Sequence, residues 1–390
     1  MLPLDGLTVV SVEQAVAAPF ATRQLADLGA RVIKIERPRD GDFARAYDST
    51  VNGLSSYFVW LNRTKESLTL DLKRPEGGPV LDRLLRRADV FVQNVAPGAS
   101  SRLGTDASAL RVRYPRLIVC DITGFGSGGP FEARKAYDLL VQAEVGVVSI
   151  TGSTETASKV GISIADIAAG MYAYAGILAA LFARMKTGTG TTLSVSLFEA
   201  LAEWMGAPMY YTAYGGTAPR RSGAHHASIA PYGPFRTRDG EAIVIAVQNA
   251  REWSRFCRIV LGWPELERDD RFATNARRVT NREALHVAIE STLGTLTAND
   301  VRARLDDASI AYARMNTMGE FLEHPQLADR WREIGSPAGL LRALLPPIRM
   351  PDASPALGPV PSVGQHTDAI LDELGIDRDT ITHWRREGVV

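Results

Sequence analysis

The chain is poor in cysteine. Two residues in 390, Cys120 and Cys257, provide neither a disulfide framework nor a cysteine metal site. Cys120 stands in an apolar run and reads as a buried free thiol. No metal-ligand spacing occurs elsewhere, so no metal is expected. Charge of one sign is also missing: 44 basic and 44 acidic residues cancel, removing the field that nucleic acid or an anionic membrane would require. The first turn, VEQAVAAP, lacks the glycines that let a dinucleotide pyrophosphate approach the backbone. GFGSGG at 124–129 is followed at once by Pro130 with no GK[ST], so it is not a phosphate loop and reads instead as a mobile active-site turn. MLPLDGLTVV has neither the basic segment nor the long apolar core of a signal peptide, and a cytoplasmic location is expected. Internal repeats and low-complexity segments are absent.

What remains is a mixed α/β pattern long enough for two or three domains. LTVVSV, the helical AAPFATRQLADLGA with Pro19 in its first turn and Gly29 as its stop, and RVIKIE form a βαβ unit. ERPRDGDFAR follows as a polar loop at the carboxyl edge, where open sheets bind ligands. SLTLDLK, a helix opened near Pro75, DVFVQN and LIVCDIT continue the alternation. Tyr214 to Phe235 is a long Gly-, Pro-, Arg- and His-rich loop. FRTRDGEAIVIAVQ is a hairpin turning at Asp239-Gly240, and the chain then reads as helical to about Thr317, with Thr297 as a cap. Short strands, a Pro-rich connection and a last helix near His366 to Leu374 complete it.

The chain is organised around Gly161 to Ala200. Between Gly161 and Ala183 the only charge is Asp166, a length that approaches a membrane span. Alanine and glycine dominate, however, and Asp166 is not at the edge, so a buried core helix of a soluble protein is the expectation. Arg184 and Lys186 suit the negative end of that helix, and Gly188 is placed to stop it. TTLSVSLF follows as a strand, and Glu199 begins another helix. Asp166 therefore sits at the mouth of an apolar helix beside Ala165, Ala168, Ala169 and Gly170. Two roles fit it: an N-cap accepting first-turn amides, or a carboxylate made reactive by desolvation.

Six segments in order resemble the family III CoA-transferases, the formyl-CoA and carnitine CoA-transferase group. They are PLDGLTVVSVEQ…AAPFATRQLADLGARVIKIERPRDGDFAR, NRTKESLTLDLKRPEG, ADVFVQNVAPGASSRLG, ITGFGSGGP, IADIAAGMYAYAGILAALFARMKTGTGTTLSVSLFEA and IAPYGPFRTRDGE. The resemblance implies a large Rossmann-like parallel-sheet domain built from both chain ends (1–226 and 334–390), a smaller α+β domain (227–333), and an interlocked homodimer. It implies that Asp166 is the nucleophile of an acyl-CoA:carboxylate CoA-transferase, passing through aspartyl-anhydride and aspartyl–CoA thioester intermediates. Coenzyme A and acyl-CoA are then substrates, with no permanently bound cofactor. By motif, Arg37, Leu70, Lys73, Asn94, Arg102 and Lys135 line the CoA, although each basic residue taken alone reads as a solvated surface charge.

The sequence departs from the family at two places. The residue before the AxP turn, often Gln, is here Val16, with Gln14 two positions earlier. The glycine-rich lid after IVIAV is here QNAREW, which leaves Gln248 and Asn249 as candidate contacts. Arg220-Arg221 and His225-His226 precede the small domain, and Arg221 or His226 is a candidate for the far carboxylate of a C4–C5 dicarboxylate such as succinate, itaconate, mesaconate or citramalate. An α-methylacyl-CoA racemase is the nearest alternative. It needs a histidine in the AYD region, whereas no histidine occurs from Met1 to Gly223. A non-catalytic CoA-binding protein is the remaining alternative.

Overall fold

All 390 residues are described by the computed structural model, which divides into two compact units. The first comprises residues 1–145, 161–205 and 329–390; the second comprises 146–160 and 206–328. The second unit thus starts about 20 residues before the border read from sequence at 227, and it also takes in residues 146–160. A local reason is that Arg221 donates from Nε, Nη1 and Nη2 to the carbonyls of Ser153, Ser149 and Thr154, which fastens that segment to the 206–328 stretch.

The first unit carries a six-stranded parallel sheet ordered β3-β2-β1-β4-β5-β6. Its strands are β1 (Thr8–Val12), β2 (Arg31–Glu36), β3 (Lys65–Thr69), β4 (Val90–Gln93), β5 (Ile118–Thr123) and β6 (Thr192–Ser196). Val9, Val10, Val32, Ile33, Val90, Phe91, Ile118 and Val119 are buried, as both-face burial of a parallel sheet requires. Because the chain runs from β1 to β2 on one side and returns to β4 on the other, β1 and β4 bracket the topological switch point, where such sheets bind ligands.

The central helix runs Ile164–Thr187 and ends at Gly188 in the left-handed conformation (φ 72°), as the sequence indicates. It is long and apolar enough to cross a bilayer, but half of its most apolar window is buried, against helix α1 (Ala17–Asp27), β5, β6 and the helix Leu197–Trp204. Packing on α1 is close: a Cβ on Gly170 would lie 2.7 Å from the Ala17 carbonyl oxygen. Glycine there is a steric requirement. An antiparallel hairpin, β10 (Trp331–Ser336) with β11 (Gly339–Leu344), and two terminal helices also belong to this unit. The second of those helices, Arg378–Glu387, lies beyond the helix read as the last.

The second unit contains the expected hairpin, β7 (Tyr232–Arg236) and β8 (Ala242–Ala246), with Gly240 at φ 81° in its turn. A third strand, β9 (Ala311–Arg314), pairs with β8 inside a stretch read from sequence as helical. Four residues directly after a helix are too short for their periodicity to stand out. Thr297 does close a capping box with Asp300. Phe235, Ile243, Trp253, Phe256, Leu285 and Val301 form the core of this unit.

Candidate active site

At the carboxyl end of β1, residues Glu13 to Val16 make the turn into α1. Ala15 sits at φ 63°, a left-handed conformation that costs an L-residue roughly 1 kcal/mol. Three hydrogen bonds hold it there. Gln14 donates its amide to Asn94 Oδ1 (2.9 Å) and accepts from Asn94 Nδ2 (2.8 Å), while Ala15 donates its amide to Asp42 Oδ1 (3.1 Å). Asn94 follows β4, so one side chain ties the two loops of the switch point together. Val16 is the N-cap of α1 and has no side-chain oxygen to cap with, and Pro19 has no amide hydrogen. The amides of Ala17 and Ala18 are consequently donors with no acceptor within the chain.

Asp166 is the third residue of the central helix and not its N-cap, which is Ser163. Capping comes from elsewhere: Asp138 Oδ1 accepts the Ala165 amide at 2.8 Å, and its Oδ2 accepts from Gln142 Nε2 at 2.7 Å. With the first-turn amide thus served by a residue 27 positions away, Asp166 is released from the capping role. Its carboxylate makes no hydrogen bond or ion pair, and it is partly buried. Burial, and then the Asp138 carboxylate, raise its pKa from 3.8 to about 7. Near neutral pH such a carboxyl is divided between its neutral and ionised forms.

Tyr47 shares this locality. Burial first, then the charges of Asp42 and Asp166, push its phenol up to about 12, so it stays a neutral donor at physiological pH. Ala15, Val16 and Ile167 belong to one apolar cluster with Phe20, Tyr57 and Leu61, which places the β1 turn against the first turn of the central helix. Tyr47 and the capping Asp138 went unread in the sequence. The capping role of Asp138 carries no local signal, because the amide it accepts lies 27 residues away.

The residues selected by motif fall into distinct settings. Arg37, Lys73, Arg102 and Lys135 are exposed, and only Arg37 among them makes a side-chain hydrogen bond, from Nε to the Gly41 carbonyl. Asn94 is at the switch point, but both ends of its amide are spent on Gln14. Leu70 is buried in the sheet core, so its side chain cannot meet a ligand. Val16 is likewise buried, leaving only its backbone to face the turn. In the second unit, Arg221 is occupied by three backbone carbonyls. His226 stacks on Tyr232 with ring centroids 5.1 Å apart, and its Nδ1 accepts the Ser228 amide. Asn249 caps the helix Ala250–Arg255, and the Gln248 amide binds Glu252. Structural bonds therefore occupy Arg221, His226 and Asn249.

A partly buried, unpaired carboxylate thus stands in the first turn of the central helix, and that turn shares an apolar cluster with the β1 turn at the switch point of the parallel sheet. The sequence profile of CoA-transferase family III matches residues 4–367, and the chain belongs to that family. It is 33% identical over 405 aligned positions to the mouse (Mus musculus) succinyl-CoA:glutarate CoA-transferase, covering 100% of this chain and 91% of that protein. It is 36% identical to the acetyl-CoA:oxalate CoA-transferase of Acetobacter aceti over 84% of each chain. Among solved structures, a CAIB/BAIF family protein from Brucella suis superposes with a TM-score of 0.82 at 34% identity, covering 96% of this chain and 99% of that one.

Proposed function

We propose that this CoA-transferase carries CoA between small carboxylic acids on Asp166. An Asp166 carboxylate oxygen attacks the thioester carbonyl of the donor; the carbon–sulfur bond breaks, and CoA thiolate leaves an aspartyl–acyl anhydride. The thiolate then attacks the Asp166 carbonyl, releasing the donor acid and forming an aspartyl–CoA thioester. The acceptor carboxylate runs the two steps in reverse and restores Asp166 with no net proton consumed. Each tetrahedral intermediate carries an oxyanion, for which the free Ala17 and Ala18 amides and the neutral Tyr47 hydroxyl are the proposed donors. The observation that carries this reading is the unpaired, partly buried Asp166 carboxylate in the first turn of the central helix.

The acids are proposed to be C4–C5 dicarboxylates. The name of the mouse relative, with succinyl-CoA and glutarate, supports C4–C5 acids, whereas the oxalate of the Acetobacter relative is a C2 dicarboxylate; Arg221 and His226 are not free to bind either. A homodimer is proposed as well. The helix Gly206–Gly215 buries none of its residues and exposes Met209, Tyr210, Tyr211 and Tyr214, an apolar face suited to a second copy.

Mass spectrometry of the protein mixed with succinyl-CoA and trapped with hydroxylamine or borohydride tests the chemistry. Modification confined to Asp166, lost in Asp166→Ala, is the expected result. Exchange of an α-proton without any adduct would indicate the racemase, and neither signal across a panel of acyl-CoAs would leave a CoA-binding scaffold.

A further inference from the structure

Four charged side chains are buried together beneath the β1 turn: Glu13, Lys34, Asp42 and Lys65. Lys34 Nζ donates to Asp42 Oδ2 at 2.8 Å and reaches the Glu13 carbonyl at 3.3 Å and Glu13 Oε1 at 3.4 Å. Lys65 Nζ donates to Glu13 Oε1 at 2.7 Å and to the Pro19 carbonyl, in the first turn of α1, at 3.0 Å. Glu13 Oε2 accepts from Thr22 on α1 at 2.7 Å. Lys34 meets the turn at its first carbonyl, that of Glu13, and Asp42 is the one of the four whose side chain bonds Ala15 at its middle. Its Oδ1 accepts from Ala15 (3.1 Å) and Ala44 (2.9 Å), and its own amide is fixed by Glu36 Oε2 (3.0 Å).

Buried ion pairs stabilise a fold less well than apolar residues of the same volume, so such a set is better explained by the geometry it imposes. Here the contacts grip the chain before the turn, at its middle and after it. The middle contact falls on the one residue of the turn that carries a Cβ in the left-handed conformation.

We infer that Asp42, backed by Lys34, is a positioning residue that sets the Gln14–Ala15–Val16 turn and thereby aims the free α1 amides at the acyl transfer on Asp166. The inference rests on the transferase reading above. Asp42→Asn tests it, because the amide still offers one acceptor to Ala15 while turning a donor toward the Lys34 ammonium. With succinyl-CoA and a panel of dicarboxylate acceptors, kcat should fall 10- to 100-fold while the succinyl-CoA KM and the CoA Kd stay within threefold. Hydrogen exchange at the Ala15 amide should quicken at least tenfold. Adding Ala15→Gly, which removes the conformational penalty, should recover severalfold of kcat. An unchanged kcat per folded molecule, a loss confined to KM or melting temperature, or no recovery with glycine would each overturn it. If Asp42→Asn does not fold, Lys34→Gln keeps both carboxylates and reads the same turn. Should wild type itself form no Asp166 adduct, the transferase reading fails, whereas Ala15 exchange still decides whether Asp42 holds the turn.

Discussion

Asp166 is set apart by what does not touch it. Its pKa is raised from 3.8 to about 7, chiefly by burial. A raised acid means that the folded protein holds a proton which the unfolded chain has released. Stability contributed by the neutral form is thus present at low pH and lost as pH climbs from about 4 to 7. Asp166→Asn should accordingly stabilise the protein at pH 8 by about 2 kcal/mol, half of what three pH units imply because the group is partly exposed. The gain should vanish below pH 4, as thermal melts at the two pH values will show, while transfer falls more than a thousandfold. Adduct formation in wild type, which requires the carboxylate, should rise with pH to a plateau above about 8. Asp138→Asn should move that midpoint downward, since the Asp138 charge is the second cause of the shift and the amide oxygen can still accept from Ala165. A pH profile of adduct formation at saturating succinyl-CoA measures both.

The elements around the site are fitted to within one methyl group. On Gly170 a Cβ would meet the Ala17 carbonyl at 2.7 Å and the Phe20 ring at 3.0 Å, so Gly170→Ala must push α1 from the central helix. A loss of about 1–3 kcal/mol in urea melts is expected, with a fall in kcat because α1 carries the candidate oxyanion donors. Asn94 joins the loops after β1 and β4 through two hydrogen bonds to Gln14. Asn94→Ala leaves both Gln14 groups without that partner and should cost about 1–3 kcal/mol. Lower kcat in steady-state assays should accompany the loss of stability if the turn is part of the catalytic apparatus. Helix ends were readable in advance where they are written locally, as at Gly188 and in the Thr297 capping box. The cap of the central helix was not, because Asp138 reaches it from another element.

At the scale of the whole molecule, the helix Gly206–Gly215 exposes Tyr210, Tyr211 and Tyr214, the face proposed above to meet a second copy. Light scattering on a sizing column should give about twice the chain mass, and Tyr210→Glu with Tyr214→Glu should weaken or dissociate the assembly. A monomer for the unaltered chain would remove the dimer proposal and leave that face unexplained.

By itself the sequence determined the strands of the parallel sheet, the central helix with its glycine stop and the family, and it singled out Asp166 as the candidate. These follow from hydrophobic period, caps and ordered motifs, all of which are properties of neighbours along the chain. Tertiary structure decided that Asp166 is not a cap, that Arg221 and His226 serve the backbone, and that Asp42 and Lys34 lie beneath the Ala15 turn. It also decided that residues 311–314 complete a sheet. The division has a physical cause. A hydrogen bond such as that from Gln14 to Asn94 spans 80 residues, and only folding fixes which partner each buried polar group finds.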